Sequence, residues 1–239
     1  MPPAPVQLAP DVWRFPTLGR SLINSFAFVD GDGTVALVDA GLKGAPKKLT
    51  AALSEIGKRP ADVNRILLTH THPDHCGGAA GLRQRTGAPL HVHQDDAGYL
   101  RNGRRPPLDP AFPIAKVLRF VGQGPRSPVD GTFLEDDIIP VAGGIRVLHT
   151  PGHSPGHCSF LHQRSGVLIT GDALFNFRDK ITYSFAPFCT NAELSRDTAD
   201  RLGEVDYETA AFTHGTEIRG GARKAIRGFL LKRRQGRRG

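Results

Sequence analysis

The stretch "LLTHTHPDHCGG", residues 67–78, places four potential metal ligands within six positions: His70, His72, Asp74 and His75. They come directly after an apolar run. A single histidine is usually a structural polar residue, but the pattern H-x-H-x-D-H arises by chance in only about one chain in a thousand of this size and composition. Imidazole and carboxylate groups at this spacing therefore indicate a metal site, whose remaining ligands have to come from other parts of the chain.

The composition is that of an ordinary globular protein. The 239 residues are 39% hydrophobic and 23% charged, and a chain of this length can bury a sizeable core. The net charge of +8 comes from the C-terminal end, because residues 219–239 contain nine Lys or Arg and no acid. We therefore expect residues 1–231 to form a single domain and residues 232–239 to be a basic, disordered tail.

The cysteine usage and the N-terminus favour the cytoplasm. Three cysteines without a C-x-x-C spacing argue against a disulfide framework. The N-terminus shows no basic region followed by an apolar stretch, so no signal peptide is expected. No apolar run approaches the length of a membrane-spanning helix, so we expect no membrane association of that kind.

Hydrophobic periodicity alternates between short strands and helices along the chain. The pattern predicts strands at 65–70, 89–93 and 208–215, and helices at 46–57, 190–202 and 220–235, the second with a capping box from Thr190 to Glu193. Residues 101–130 show no clear period and are interpreted as a long connection. This order predicts an α/β protein of the α+β type, with two packed mixed sheets and helices outside.

Five predicted strand ends carry Asp or His next to a Gly or Pro turn, and such loops often carry functional groups. The residues are Asp39, the cluster His70 to His75, His153, Asp172 and His214. If these ends meet at one rim, five imidazoles and two carboxylates converge there, besides Asp39. This donor set suits zinc, with iron or manganese as alternatives. Seven ligands exceed the four of one tetrahedral ion, which indicates two ions that share a carboxylate.

The motifs "THTHPDH", "TPGHSPGH", "TGDALF" and "THG", in this order and preceded by "VDAG", closely resemble the metallo-β-lactamase fold hydrolase superfamily over residues 20–218. The resemblance implies an αββα sandwich with a dinuclear site on one edge. It implies that His70, His72 and His153 bind one metal, that Asp74, His75 and His214 bind the other, and that Asp172 bridges both.

The resemblance also implies supporting residues outside the coordination sphere. Asp39 matches the aspartate of the first motif, which supports the ligand loop. In "PGHSPGH" the spacing alone allows either histidine to be a ligand. The resemblance selects His153 and leaves His157 as a hydrogen-bonded neighbour. The other histidines, His91, His93, His149 and His162, are interpreted as structural.

The ligands predict the reaction. A metal-bound water has its pKa lowered to about 7 and attacks as hydroxide, so the chain is predicted to be a dinuclear zinc hydrolase acting on an ester, thioester or lactone of a small molecule. Asp74 and Asp172 are the predicted catalytic carboxylates, and Asp74 could steer or receive a proton.

The sequence says less about the substrate. "TGDALF" resembles the glyoxalase II and thioesterase branch, but "NFRDKITY" stands where those enzymes have a Gly-Arg segment. In it, Arg178 could bind an anionic group, and Tyr183 could donate to a carbonyl as in lactonase relatives. The connection 101–130 is expected to cover the site, where Phe112, Leu118 and Phe120 would suit an apolar acyl group.

Three other functions stay open. A mononuclear iron sulfur dioxygenase shares a similar scaffold, and a β-lactam-hydrolysing enzyme is the second alternative. Nucleic-acid binding through phosphate contacts of the basic tail comes last, and we do not expect it. Nothing in the sequence predicts an oligomeric state.

Overall fold

The computed structural model describes residues 3–113, 115 and 123–235, apart from the side chain of residue 234. Two β-sheets face each other, and helices cover both outer surfaces. This arrangement confirms the predicted αββα sandwich of two mixed sheets.

The N-terminal sheet has seven strands within the described ranges, in the order in which the chain makes them. The strands β1 to β4 are antiparallel neighbours, and β4 to β7 are parallel. The strands are β1 (Val6–Ala9), β2 (Val12–Leu18), β3 (Ile23–Val29), β4 (Val35–Val38), β5 (Val63–Leu67), β6 (Leu90–His93) and β7 (Gly131–Phe133).

The C-terminal sheet has six strands in the part of the chain that is described, in the order β15-β14-β11-β10-β9-β8. Only β11 and β14 are parallel among these pairs. A separate hairpin, β12 with β13, follows β11. These strands are β8 (Ile138–Ile139), β9 (Ile145–His149), β10 (Cys158–His162), β11 (Val167–Ile169), β12 (Leu174–Phe177), β13 (Lys180–Tyr183), β14 (Thr209–Ala211) and β15 (Ile218–Arg219).

The α-helices are α1 (Ala45–Glu55), α2 (Pro73–Cys76), α3 (Ala79–Thr86), α4 (Gln94–Asn102), α5 (Ala192–Ala199) and α6 (Ala222–Gln235). Short 3-10 helices lie at Pro60–Asp62, Gly171–Ala173, Ala186–Phe188 and Asp200–Gly203. The predicted capping box of α5 is wrong by one residue. Asn191 is the N-cap, and its side chain accepts from the Leu194 amide, whereas the Thr190 hydroxyl donates to the Pro107 carbonyl.

Three apolar clusters build the layers. Between the sheets, aromatic and aliphatic side chains such as Phe26, Phe28 and Phe160 are fully buried. Leu49, Leu53 and other helical residues pack on the outer face of the N-terminal sheet. A third cluster packs α5 and α6 on the outer face of the other sheet. Burial of this apolar surface is the main term that fixes the relative position of the two sheets.

The predicted connection 101–130 is shorter than expected, because α4 runs to Asn102. Residues 107–109 are hydrogen-bonded to the turn before α5, where the Asp109 amide donates to the Cys189 carbonyl. Leu118 and Phe120, expected to cover the site, lie outside the described residues.

The last helix ends at Gln235, where the hydrophobic period predicts its end. The first four residues of the expected basic tail, Lys232–Gln235, are therefore helical, and residues 236–239 lie outside the described part. Of the helices that the structure describes, none has the length and apolar character needed to cross a membrane.

Candidate metal centre

The predicted ligands meet because their strands end at the same edge. β4 and β5 are parallel neighbours, and β9, β11 and β14 run in one common direction in the other sheet. His70 follows β5, and His153, Asp172 and His214 follow β9, β11 and β14. All seven predicted ligands lie in this one place, which we call the convergent cluster: His70, His72, Asp74, His75, His153, Asp172 and His214.

One half of the convergent cluster consists of three histidines. His70, His72 and His153 each offer a nitrogen, and these atoms lie within 4.8 Å of one another. His72 Nδ1 is 2.8 Å from His153 Nε2. His70 Nε2 is buried and has no hydrogen-bond partner. A buried orphan nitrogen is costly unless it binds something, so the donor set fits a metal cation.

The other half contains a carboxylate. Asp74, His75 and His214 also bring one ligand atom each within 4.8 Å. The Nε2 atoms of the two histidines are 3.3 Å apart, and Asp74 Oδ2 lies 3.3 Å from His214 Nε2 and 3.5 Å from His75 Nε2. Asp74 is the more open of the two carboxylates in the cluster, with 32% of its side chain exposed against 5% for Asp172.

Asp172 stands between the two halves. Its Oδ2 is 3.2 Å from His153 Nε2, and its Oδ1 is 3.3 Å from His75 Nε2 and 3.4 Å from His214 Nε2. The Thr213 hydroxyl donates to Oδ1 at 2.7 Å and holds the carboxylate in this orientation. Each oxygen therefore faces a different group of histidines, which is the arrangement that a carboxylate shared by two cations needs.

Asp39 supports the cluster from behind. Its backbone φ is +63°, an uncommon value outside glycine, and its side chain accepts from the amide and the hydroxyl of Thr69. His75 Nδ1 donates to Asp39 Oδ2 at 2.8 Å, and His70 Nδ1 is 3.0 Å from the Thr69 hydroxyl. With these outer nitrogens protonated, the Nε2 atoms are left as bare ligands.

His157 offers no free ligand atom to the convergent cluster, because both of its ring nitrogens form hydrogen bonds with the protein. Nδ1 donates to the Thr150 carbonyl at 2.9 Å, and Nε2 accepts from the Asp172 amide at 2.7 Å. Burial and the nearby His153 lower the pKa of His157 to about 3, so the ring is neutral. Residue 171 has to be glycine here: its φ is +54°, and a Cβ would lie 2.5 Å from His157 Nε2.

Two ligand histidines have outer hydrogen-bond partners that the sequence analysis did not single out. His214 Nδ1 donates to the Leu22 carbonyl at 2.7 Å, a backbone contact that no pattern predicts. His153 Nδ1 lies 3.6 Å from Cys189 Sγ, and this thiol is buried beside Ser184. A protonated Nδ1 that donates to the sulfur leaves Nε2 of His153 free for a metal.

Asp96, the second residue that sequence reasoning missed, joins two ligand loops. It is fully buried; its Oδ2 accepts from the amide and hydroxyl of Thr71 and from the Ser154 hydroxyl, and its Oδ1 accepts from the Gly156 amide. Thr71 lies between two ligand histidines and Ser154 follows a third. Burial raises the pKa of Asp96, and these donors oppose that change. The acidic pair in "HQDD" after β6 is the only sequence signal.

The charges of the cluster are strongly coupled. Burial and the neighbouring histidines lower the pKa of His70 and of His72. Against the effect of burial, Asp172 raises the pKa of His153 to about 9 and that of His214 to about 10. The histidines in turn keep the pKa of Asp172 well below its ordinary value, although burial would raise it. Anionic carboxylates beside imidazoles that can give up protons suit a divalent cation.

The two predicted substrate contacts lie on the hairpin of β12 and β13, which follows Asp172 in the chain. Arg178 occupies the turn of the β12–β13 hairpin, where it has a φ of +51° and an exposed side chain. The ring of Tyr183 packs 5.0 Å from that of Phe229 on α6, in the third apolar cluster.

A second group of histidines has a different geometry. His93 and His149, here called the stacked pair, lie with their rings parallel, 4.0 Å apart and inclined by 16°. His93 Nδ1 accepts from the Asp95 amide, and His149 Nε2 donates to the Pro155 carbonyl. His162 is likewise bound to the Ala142 carbonyl and the Ser165 hydroxyl. These contacts fit the structural role expected for these histidines.

Comparison with known families gives one match along most of the chain. The model of the metallo-beta-lactamase superfamily matches residues 18–214, which include every residue of the convergent cluster. The motifs quoted above fall inside the matched range, except that "THG" extends one residue beyond it to Gly215.

Comparison with individual proteins agrees with this match. The probable metallo-hydrolase YybB of Bacillus subtilis (strain 168) is 28% identical over 200 residues, 83% of each chain. A hydroxyacylglutathione hydrolase of Cereibacter sphaeroides is 35% identical over 156 residues, 64% of this chain and 49% of that protein. A metallo-beta-lactamase family protein of Thermus thermophilus, known as a crystal structure, is 27% identical with a TM-score of 0.72, over 96% of this chain and 81% of that one.

Proposed function

The chain belongs to the metallo-beta-lactamase superfamily, and from this we propose that it is a hydrolase that uses two zinc ions to cleave an ester, thioester or lactone bond in a small molecule. The division of the Asp172 oxygens between two groups of histidines carries this proposal. A site for a single ion would not need a carboxylate that faces both ways.

The donor set supports zinc, because imidazole nitrogens and carboxylate oxygens are its usual ligands beside thiolates. His70, His72 and His153 would hold one ion, and Asp74, His75 and His214 would hold the second, with Asp172 shared. Iron or manganese could occupy the same donors. When bound, the two ions would make water nucleophilic at neutral pH and would polarise the carbonyl of the substrate.

The chain's own residues supply orientation and proton transfer. Asp172 is fixed by the Thr213 hydroxyl and through its amide by His157, so both of its oxygens are directed before a substrate arrives. Asp74 combines contact with His214 and a partly exposed side chain. His75 and His214 keep the pKa of Asp74 well below its ordinary value against the effect of burial, so it is an anionic acceptor that can steer the proton of the attacking group.

A small acyl substrate is supported by the similarity to a hydroxyacylglutathione hydrolase, although that protein is about twice as long as the aligned region. Cys76, Cys158 and Cys189 are all unpaired and buried, which supports a reducing compartment such as the cytoplasm.

The test is elemental analysis of the purified protein, followed by turnover of a panel of thioesters, lactones, aryl esters, phosphodiesters and β-lactams. We expect about two zinc ions per chain and hydrolysis in the first three classes that a chelator abolishes and zinc restores. Full turnover by a chelator-stripped sample would contradict the proposal. A single iron with thiol-dependent oxygen uptake would replace it with a sulfur dioxygenase.

A further inference from the structure

The hairpin of β12 and β13 is anchored beside His214. The Asn176 amide donates to the His214 carbonyl at 3.0 Å, and Asn176 also forms a bridge with Gly215. The contact is so close that a Cβ on Gly215 would lie 1.8 Å from the Asn176 carbonyl oxygen. The strand β12 therefore has a fixed position at the edge of the convergent cluster.

One face of the strand β12 carries two aromatic rings, and the first of them contacts a predicted metal ligand, His214. The ring of Phe175 packs against that of His214, with centroids 4.8 Å apart, and the ring of Phe177 lies 5.9 Å from that of Phe175. Phe175 and Phe177 are two residues apart on one strand and so share a face. Phe177 is 40% exposed although it is a large apolar side chain.

An exposed leucine lies on another side of the same histidine. The Leu22 carbonyl accepts from His214 Nδ1, and the Leu22 side chain is 51% exposed. The preceding residue, Ser21, accepts from the Gly215 amide at 2.7 Å. Leu22, Phe175 and Phe177 are here called the apolar strip: Leu22 and Phe175 each contact His214, and Phe177 contacts Phe175.

We propose that the apolar strip binds an alkyl or aryl segment of the substrate, attached directly to the group that reacts at the convergent cluster. This inference rests on the proposed function and narrows it to acyl or alkoxy groups that are extended and apolar. Exposed apolar residues next to a reactive centre are typical of binding surfaces, because leaving them in water is unfavourable. On that face of β12, Phe175 is the residue between Phe177 and His214, and the residues opposite on β13 are Thr182 beside Phe175 and Lys180 beside Phe177.

The test uses linear carboxylates as probes, because their headgroup can enter the cluster and their chain would lie along the strip. Calorimetric titrations of the purified protein with acetate, butyrate and octanoate compare the chain lengths. A fully buried methylene adds about fourfold in affinity, so with half of the chain covered octanoate should bind about 50-fold more tightly than acetate.

Variants identify the surface. Phe177→Ser should reduce the octanoate-to-acetate ratio at least about threefold, because it removes about one methylene's worth of contact or more, and Phe177→Leu should retain most of it. Leu231→Ser is the matched control: Leu231 is 47% exposed on α6, and its loss should leave the ratio unchanged. Thermal unfolding of each variant verifies that it is folded.

Equal binding of acetate and octanoate, or no measurable binding of either, would overturn the inference, as would a ratio that Phe177→Ser does not alter. Failure of the proposed function has a different result: octanoate is still preferred and the preference depends on Phe177, but no ester, thioester or lactone of any chain length is hydrolysed in a metal-dependent reaction.

Discussion

The convergent cluster and the stacked pair are both built from histidines at strand ends, yet they differ in where the ring nitrogens point. In the convergent cluster His70, His75 and His214 bind protein atoms through Nδ1 and direct Nε2 to a common space. In the stacked pair the rings lie face to face, and a nitrogen of each is used in a contact with the local backbone. Parallel stacked rings cannot both point their lone pairs at one cation.

The difference teaches that the number of histidines in a region is a weak indicator of a metal site. His93 and His149, with Asp95, also place three ligand atoms within 4.8 Å. What distinguishes the convergent cluster is the second set of hydrogen bonds, which fixes the tautomers of its histidines and leaves one buried nitrogen, His70 Nε2, without a hydrogen-bond partner.

The largest expected effect is on hydrolysis and metal content, and it distinguishes the convergent cluster from the stacked pair. Asp172→Ala removes the shared carboxylate and should lower hydrolysis about 10³-fold, because several kcal/mol of transition-state stabilisation depend on the ions. Elemental analysis should find at most one metal per chain. His149→Gln keeps a donor for the Pro155 carbonyl and should retain both metals. Loss of metal in His149→Gln, with Asp172→Ala unaffected, would reverse the assignment of the two groups.

The next effect is the pH dependence of metal affinity. The pKa values of about 9 for His153 and about 10 for His214 mean that both rings are protonated below pH 8 in the metal-free protein. A metal then has to displace at least one proton, so affinity should increase about 100-fold from pH 6 to pH 8. Burial and His149 lower the pKa of His93 to about 4, so a metal bound at the stacked pair would show little change over this range. Competition titrations with a chromophoric chelator distinguish the two outcomes.

The role of the second set of hydrogen bonds is tested at Asp39. Asp39→Asn replaces one acceptor oxygen by a donor and should weaken metal binding about 10–100-fold. Asp179→Asn is a matched control, because Asp179 also has a left-handed backbone, with a φ of +61°, but is exposed in the hairpin turn. Equal affinities for both variants would show that Asp39 supports only the backbone.

Asp96 lies three residues after His93 of the stacked pair, but its side chain is hydrogen-bonded to the loops of the convergent cluster. Asp96→Asn should lower the free energy of unfolding by about 1–3 kcal/mol, because an amide group would face buried donors. Urea denaturation measures this change. Asp95→Asn, at a carboxylate that is 46% exposed, should have almost no effect. Similar values for the two variants would mean that the buried network contributes no stability.

The smallest effect is expected at Cys189, since a thiol is a weak acceptor. Cys189→Ala removes the partner of His153 Nδ1 and should weaken binding of the metal at that histidine about 3–10-fold. Cys189→Ser restores an acceptor and should recover most of the affinity. The d–d absorption of the cobalt-substituted protein should shift in the alanine variant, whereas an unchanged spectrum and affinity would exclude a positioning role.

The sequence predicted the architecture well where local patterns are strong. The helix α1, the strand that ends before His70 and the C-terminal helix follow directly from hydrophobic period and Gly or Pro punctuation. α4 was missed because its sequence "QDDAGYLRN" is mostly polar, and its start depends on the His93 side chain as a cap.

The convergence of the ligands was predictable because each lies in a short motif at a strand end. Asp39 and His157 were likewise predictable as supports from their motifs, but other supporting residues were not. Cys189 meets a histidine 36 positions away, and Asp96 meets a serine 58 positions away. Such pairs carry no local signal, since only the packing of the two sheets brings them together. Tyr183 is the converse case. It lies near the motifs in sequence, but its ring packs against Phe229 in the third apolar cluster.

His75 and His214 lie 3.3 Å apart although 139 residues separate them in the chain. During synthesis the first three histidines and Asp74 are added to the chain roughly 7–28 s before the last ligand, at translation rates of about 5–20 residues per second. A nascent chain can therefore present only an incomplete, weak chelate. Tight metal binding is therefore expected only after the C-terminal ligand has been synthesised. The bound cation would then link the N-terminal and C-terminal halves of the chain and stabilise only complete molecules.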